Sequence, residues 1–273
     1  MRTLALLIAA IGASGYVSVA QQIPVGQQTE DSVSISREAA RVTVNVIDSR
    51  PLAGAIVAIR REYGWRVDYE DPVYLPSQLV DATPPGWRAM HPEKKGGYIP
   101  GGTSLRTTYN EDFAGHAATD EQKSDTINQV LADFQRSQNP GTFVLRKLSG
   151  RLDVVGVTDG KAVLDAPITF KATNVTAIHV LEEIMTQVGQ QTGLDAGLGF
   201  VPMNALIHCT VDPSYNSVPA RDAILDVLQK CHLDVTWEAL WGGNRNSYLL
   251  NLDAVARVYK DQTGKTLVLP PQP

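Results

Sequence analysis

Apolar residues recur along this chain with two periods, and the clearest case runs from Ser217 to Trp237. Ile224, Val227, Leu228 and Cys231 fall at i, i+3, i+4 and i+7, while Arg221, Asp222, Asp226, Gln229 and Lys230 take the positions between. At about 3.6 residues per turn the first set forms one face and the second a polar face, which predicts an amphipathic helix. Pro219 suits its first turn, where a missing N–H costs no helical hydrogen bond. Leu233, Val235 and Trp237 then alternate with Asp234, Thr236 and Glu238. This predicts a strand with one buried face.

The same helix-to-strand unit occurs elsewhere. Arg41 to Ile47 alternates and is rich in β-branched residues, so it reads as a strand. Leu52, Ala55, Ile56, Ile59 and Tyr63 predict a helix started at Pro51 and ended by Gly64, followed by a strand with Trp65, Val67 and Tyr69 on one face. Residues 71–103 are rich in proline and glycine and keep no period, so they read as a long insertion. Leu105 to Tyr109 reads as a strand. Ile127, Val130, Leu131 and Phe134 mark a second helix stopped at Asn139-Pro140-Gly141, and residues 142–148 and 151–157 form a hairpin around Ser149-Gly150.

Near Asp165 the order restarts. A strand at Ile168 to Ala172 precedes a helix on Ala177, Val180, Leu181, Ile184 and Val188, which Gly193 ends. Ala205 to Val211 reads as a strand, and the helix of 219–231, its strand and a last strand at Tyr248 to Leu252 complete the second copy. Leu52 aligns with Ala177 and Ile127 with Ile224, and the two offsets differ by about the length of the insertion. The pattern therefore predicts an internal duplication. The fold expected is α+β: two tandem modules, each with two helices packed on a small mixed β-sheet, at residues 41–158 and 163–260. Residues 21–40 read as a flexible leader and 261–273 as a Pro-rich tail with a short strand at Thr266 to Leu269.

Hydrophobic residues make up 43% of the 273 positions, enough to bury a real core. The net charge of -5 is spread along the chain, which argues against a nucleic-acid partner. Met1-Arg2, the short apolar run Leu4 to Ile11 and the small-x-small site Ser18-Val19-Ala20 predict a secretory signal at residues 1–20. No later segment has the length of a membrane span, so a periplasmic or secreted protein is expected. Export changes the meaning of Cys209 and Cys231, since in an oxidising compartment a lone pair predicts a disulfide. The pattern turns both sulfurs inward: Ile207, Cys209 and Val211 share a face of the expected strand, and Cys231 lies on the apolar stripe of its helix.

Pro51-Leu52-Ala53-Gly54-Ala55-Ile56 with Tyr63-Gly64-Trp65-Arg66-Val67-Asp68-Tyr69, and Val218-Pro219-Ala220-Arg221-Asp222-Ala223-Ile224-Leu225, resemble the two halves of the short N-terminal domain shared by secretins and TonB-dependent receptors. That module is a strand, a proline-started helix, a strand after a glycine, a second proline-started helix and a closing hairpin. The long insertion departs from the pattern, and nothing in these residues reads as the strand-rich barrel of a channel or receptor. The resemblance implies a compact periplasmic recognition module, not transport itself.

Candidate chemistry is sparse. His208, Cys209, Cys231 and His232 are the residue types of a tetrahedral zinc site, but neighbours on a strand point to opposite faces, so no metal is expected. His179 sits beside an apolar stripe and reads as a boundary residue. Glu70 and Asp71 end a strand before Pro72, where solvated turn carboxylates and catalytic ones both occur. No nucleophile elbow, zinc-protease or P-loop spacing is present, so neither catalytic residues nor a cofactor are assigned. Trp87, Tyr98 and Tyr109, in and just after the insertion, form an aromatic contact surface or pin the loop onto the fold. The reading is an exported, non-enzymatic binding or assembly protein of the bacterial cell envelope. Its partner is an envelope protein and its candidate contact residues are Tyr69, Glu70, Asp71, Trp87, Tyr98 and Tyr109. The alternative is an extracytoplasmic enzyme or small-ligand-binding protein with a site between the modules, near the insertion and Glu70-Asp71.

Overall fold

In the computed structural model residues 32–269 are described, apart from 95, 114–116, 149, 244–245, 256 and 261–265. The expected signal, residues 21–31 of the leader and part of the tail lie outside them. Residues 32–40, expected within the flexible leader, instead start the fold. β1 (Ser32–Glu38) pairs antiparallel along its whole length with β2 (Arg41–Ile47), in which Val42, Val44 and Val46 are buried. β1 buries almost nothing itself, so its hydrophobic pattern is faint, and backbone pairing to β2 holds it in place.

α1 (Pro51–Tyr63) carries proline in its first turn and ends at Gly64, which takes φ 66° and donates its N–H to the Arg60 carbonyl. Glycine reaches that left-handed cap without strain. β3 (Val67–Glu70) follows. The insertion carries elements of its own: β4 (Leu79–Asp81), α2 (Pro85–Met90) and β5 (Tyr98–Pro100) form a flap in which β4 and β5 pair antiparallel. β6 (Ser104–Asn110) returns to pair antiparallel with β2, and α3 (Asp120–Arg136) opens on a capping box between Thr119 and Gln122. β7 (Thr142–Leu148) and β8 (Arg151–Val157) form the expected hairpin.

The second half comprises β9 (Pro167–Lys171), β10 (Val175–Thr176), α4 (Ala177–Thr192), β11 (Asp195–Leu198), α5 (Met203–His208), β12 (Thr210–Val211), β13 (Ser214–Pro219), α6 (Ala220–Lys230), β14 (Val235–Gly242) and β15 (Ser247–Ala254), then the hairpin β16 (Arg257–Lys260) and β17 (Thr266–Leu269). The strand expected over Ala205 to Val211 is instead mostly α5, with only Thr210–Val211 extended. A short apolar run fits either period, and here Leu206 alone turns into the core. Two strands, β11 and β13, carry too weak an alternation to be read from the sequence.

The chain is α+β, but the two halves do not keep separate sheets of their own. One six-stranded sheet, ordered β11-β15-β14-β3-β8-β7, runs through both, joined where β14 and β3 pair in parallel. β2 with β6 and β1, and β9 with β13, form smaller sheets. Val67 and Tyr69 of β3 belong to a first core with α1 and α3, whereas Val235, Trp237, Ala239 and Trp241 of β14 belong to a second core with α4 and α6. Tyr69 is opposite Glu238 and Glu70 opposite Ala239, so the helices of the two halves cover opposite faces of one sheet. Gly156 of β8 lets the chain leave β3 closely: a Cβ there would lie 2.1 Å from Pro72 N.

Candidate functional site

The acidic residues of β3 do not face solvent. Asp68 and Glu70 alternate with Val67 and Tyr69, so they project from the face opposite the first core, and there Glu70 meets α6. Arg221 donates from Nη2 to Glu70 Oε2 at 2.7 Å, from Nη1 to Asp153 Oδ2, and from Nε to Asp165 Oδ1 at 3.0 Å. Arg146 grips both oxygens of Asp165 at 2.6 and 2.9 Å, the bidentate form of this pair. Glu70 Oε1 also accepts the Leu164 N–H at 2.8 Å. Asp68 Oδ1 accepts from Trp237 N at 3.0 Å, and its Oδ2 lies 3.2 Å from Arg151 Nη1 without hydrogen-bond alignment.

On the other face Arg60 of α1 donates to Glu238 Oε1 at 2.6 Å and to the Trp237 carbonyl at 2.9 Å. At the end of β3, Asp71 accepts from Arg50 Nε, Tyr69 Oη, Tyr74 Oη and Trp241 N at 2.8, 2.8, 2.9 and 3.1 Å. The β14–β3 ladder itself matches only two residues on each strand. Side chains therefore supply much of the bonding that joins the halves.

Burial sets the protonation of this seam. Desolvation pushes Glu70 and Asp153 up to about 7 and Asp68 up to about 6, and the arginines pull each of them back only in part. Burial works against the Arg221 charge, but Glu70 and Asp153 outweigh it and raise its pKa. Chemically the cluster is an internal clamp: its carboxylates are held by arginines, hydroxyls and backbone amides of the chain itself, with Asp68 Oδ2, Arg151 Nη1 and Asp153 Oδ1 left buried without a hydrogen bond.

The six candidate contact residues do not form one surface. Tyr69, Glu70, Asp71 and Tyr109 are buried, the last with its hydroxyl 3.3 Å from that of Tyr63 in the first core. A single alternating strand shows one polar face, but β3 is central in its sheet and covered on both, which buries Tyr69, Glu70 and Asp71 along it and at its end, while Tyr109 turns from β6 into the first core. Trp87 is half-buried against His91, and Tyr98 is exposed on the flap. Arg221, placed by periodicity on the polar face of its helix, is buried for the same reason, as is Thr236. The signals that pointed inward were Arg151-x-Asp153 inside an otherwise apolar strand and an arginine just past Pro219.

Cys209 and Cys231 form a disulfide that ties the end of α5 to the end of α6 beside the second core. Such a bond suits an oxidising compartment. With both sulfurs in the bond, neither is a thiolate for the zinc site weighed above. Among the described residues, no group of His, Cys, Asp and Glu is arranged to hold a metal ion, and no helix is long and apolar enough to cross a membrane.

A groove of about 700 Å3 lies between β1, α1 and β14, and residues of both halves line it. Val33 and Ile35 of β1, Ala53, Val57 and Ala58 of α1, and Leu240 of β14 give it apolar walls, with Asp48, Arg61, Glu62 and Glu238 among its polar residues. Its position follows from the shared sheet. α1 packs over β3 on this face, while β14 reaches the same face from the other half and exposes Glu238 and Leu240 beside it. β1 borders the groove as an edge strand whose one partner among the described strands is β2.

No protein-family model, no curated protein and no solved structure matches this chain.

Proposed function

We propose that this chain is an exported, non-enzymatic binding or assembly protein of the bacterial cell envelope, built from two copies of one recognition module. In this reading the groove between β1, α1 and β14 receives an extended apolar segment of an envelope protein. The pairings support the duplication. In each half a strand (β2, β9) leads to a helix (α1, α4) ended by a glycine with positive φ, Gly64 or Gly193. The next strand (β3, β11) pairs in parallel with the second strand of the closing hairpin (β8, β15), and a returning strand (β6, β13) pairs antiparallel with the first. The likeness to the short N-terminal domain of secretins and TonB-dependent receptors belongs to this reading and rests on the same order.

The groove is the observation that carries the binding role. It combines apolar walls with an adjacent sheet edge, the two elements by which an extended peptide is held: backbone hydrogen bonds for affinity and pockets for alternate side chains. The junction carboxylates, by contrast, are enclosed and already bonded. A photo-crosslinking residue placed at Val57 or at Leu240 is expected to capture the same segment of one envelope protein, and the same residue at exposed Lys171 is not. Equal capture at all three positions, or none, counts against the reading. Native mass spectra that retain a small apolar molecule, with no crosslinked peptide, would favour the small-ligand alternative, for which about 700 Å3 is a suitable volume.

A further inference from the structure

The sheet ends on β11 at one side and β7 at the other, and neither has a second partner strand among the described residues. We propose that copies of this chain associate head to tail, β7 of one pairing in parallel with β11 of the next, so that the sheet continues across molecules. This rests on the duplication proposed above and is independent of the groove.

The centre of the sheet supplies the template. There β14, the first strand of a closing hairpin, pairs in parallel with β3, the strand that follows a glycine-capped helix. β7 and β11 are the corresponding strands of the opposite halves, and both lack that pairing. Direction agrees: β7 is antiparallel to β8 and so to β3, and β11 is parallel to β15 and so antiparallel to β14. β7 and β11 therefore run the same way. A second copy set beyond β7 in unchanged orientation presents its β11 parallel to it. The faces agree as well, since the helices beside β7 and those beside β11 lie on opposite sides of the sheet, as at the central junction.

The side chains have changed together. At the centre Arg221 of α6 reaches across to Glu70. Aligning Ile127 with Ile224 puts Ser124 of α3 in the place of Arg221, and aligning Gly64 with Gly193 puts Gly197 and Gly199 in the places of Asp68 and Glu70. Both sides of the charged contact are thus absent at the free ends. Apolar surface stands there instead: Leu249 beside the two glycines is 41% exposed, and Phe200, Met203 and Ile207, which follow β11, are 73%, 48% and 44% exposed. Val144, in the middle of β7, is 39% exposed. Soluble proteins usually guard such edges with charge or proline; neither interrupts Ala196 to Phe200, and in β7 the charges, Arg146 paired to Asp165 and the exposed Lys147, come only after Val144. An interface of this heterologous kind builds open chains, or rings where the rotation closes.

Sedimentation velocity of the chain as exported tests it. The wild type is expected to form a concentration-dependent ladder of species that added salt leaves in place. Gly197→Glu, at a position where an added Cβ makes only ordinary contact with Leu249 at 3.9 Å, blocks one end, and Val144→Glu blocks the other. Each variant alone is expected to lose every species above the monomer, while a mixture of the two forms a dimer and nothing larger. Unchanged circular dichroism and melting confirm that both fold. A wild type that stays monomeric, a dimer that neither variant disturbs, or a mixture that stays monomeric overturns the proposal. Leu240→Lys, in the groove, is expected to leave the ladder intact while abolishing the peptide crosslink, so the two proposals fail separately.

Discussion

Arg221 and Glu70 stand 151 positions apart in the sequence and 2.7 Å apart in the fold, both buried. The contact joins α6 of the second half to β3 of the first, and Arg221 holds Asp153 and Asp165 as well. One guanidinium therefore compensates carboxylates drawn from three segments.

Removing it leaves acids in a dry seam. Arg221→Met is expected to cost about 3–5 kcal/mol, the usual penalty for stripping one partner from a buried pair. Adding Glu70→Gln and Asp153→Asn is expected to restore part of that loss. Guanidinium unfolding of the single and triple variants checks it, and a single variant as stable as wild type would show that water reaches the seam.

The seam also sets a pH dependence with an unusual sign. Glu70 rises from 4.5 to about 7 in the folded chain, because burial disfavours its charge. The folded state then holds more protons than the unfolded state between those values, so stability is fullest below about 4.5 and falls as pH rises to about 7. Asp153 and Asp68, both raised from 3.8, act in the same direction. Glu70→Gln is expected to flatten the slope by up to about 1.4 kcal/mol per pH unit. Unfolding free energies measured across this window decide it; a wild type that gains stability through the window contradicts the assignment.

The disulfide closes a loop with a sequence separation of 22, which is worth about 3 kcal/mol. Reduction, or Cys209→Ser, is expected to destabilise the chain by about that amount and to loosen the end of α6. Denaturant titrations with and without reductant measure the loss, and thiol titration of the unreduced, denatured chain should find no free thiol from this pair.

Several elements were legible because their cause is local. Pro51 and Gly64 bracket α1, the apolar spacing of α4 and α6 marks their buried stripes, and Gly150, with φ 71°, precedes β8 in the β7–β8 hairpin. The disulfide was legible from a lone cysteine pair in a chain read as exported, although the strand face expected to carry Ile207 with Cys209 is absent and Ile207 is exposed. β1 escaped because it buries almost no side chain, and Ala205 to Ile207 was misread because so short a run has no preferred period. The charged seam escaped for a different reason. Arg221, Asp68 and Glu70 each occupy the polar side of their own element, and what covers that side is a segment far away in the chain.

By itself, then, the sequence determined the kind, order and inward faces of most elements, since periodicity, caps and turns act within a few residues. Tertiary structure alone decided that β14 would pair with β3, making one sheet of two. That pairing turned polar faces inward, buried Glu70 with Arg221, left Leu240 to line a groove with α1, and left β7 and β11 as the sheet's ends. The physical reason is that an edge strand offers the same backbone hydrogen bonds to any partner. Which partner takes them depends on side chains brought together only when the whole chain has folded.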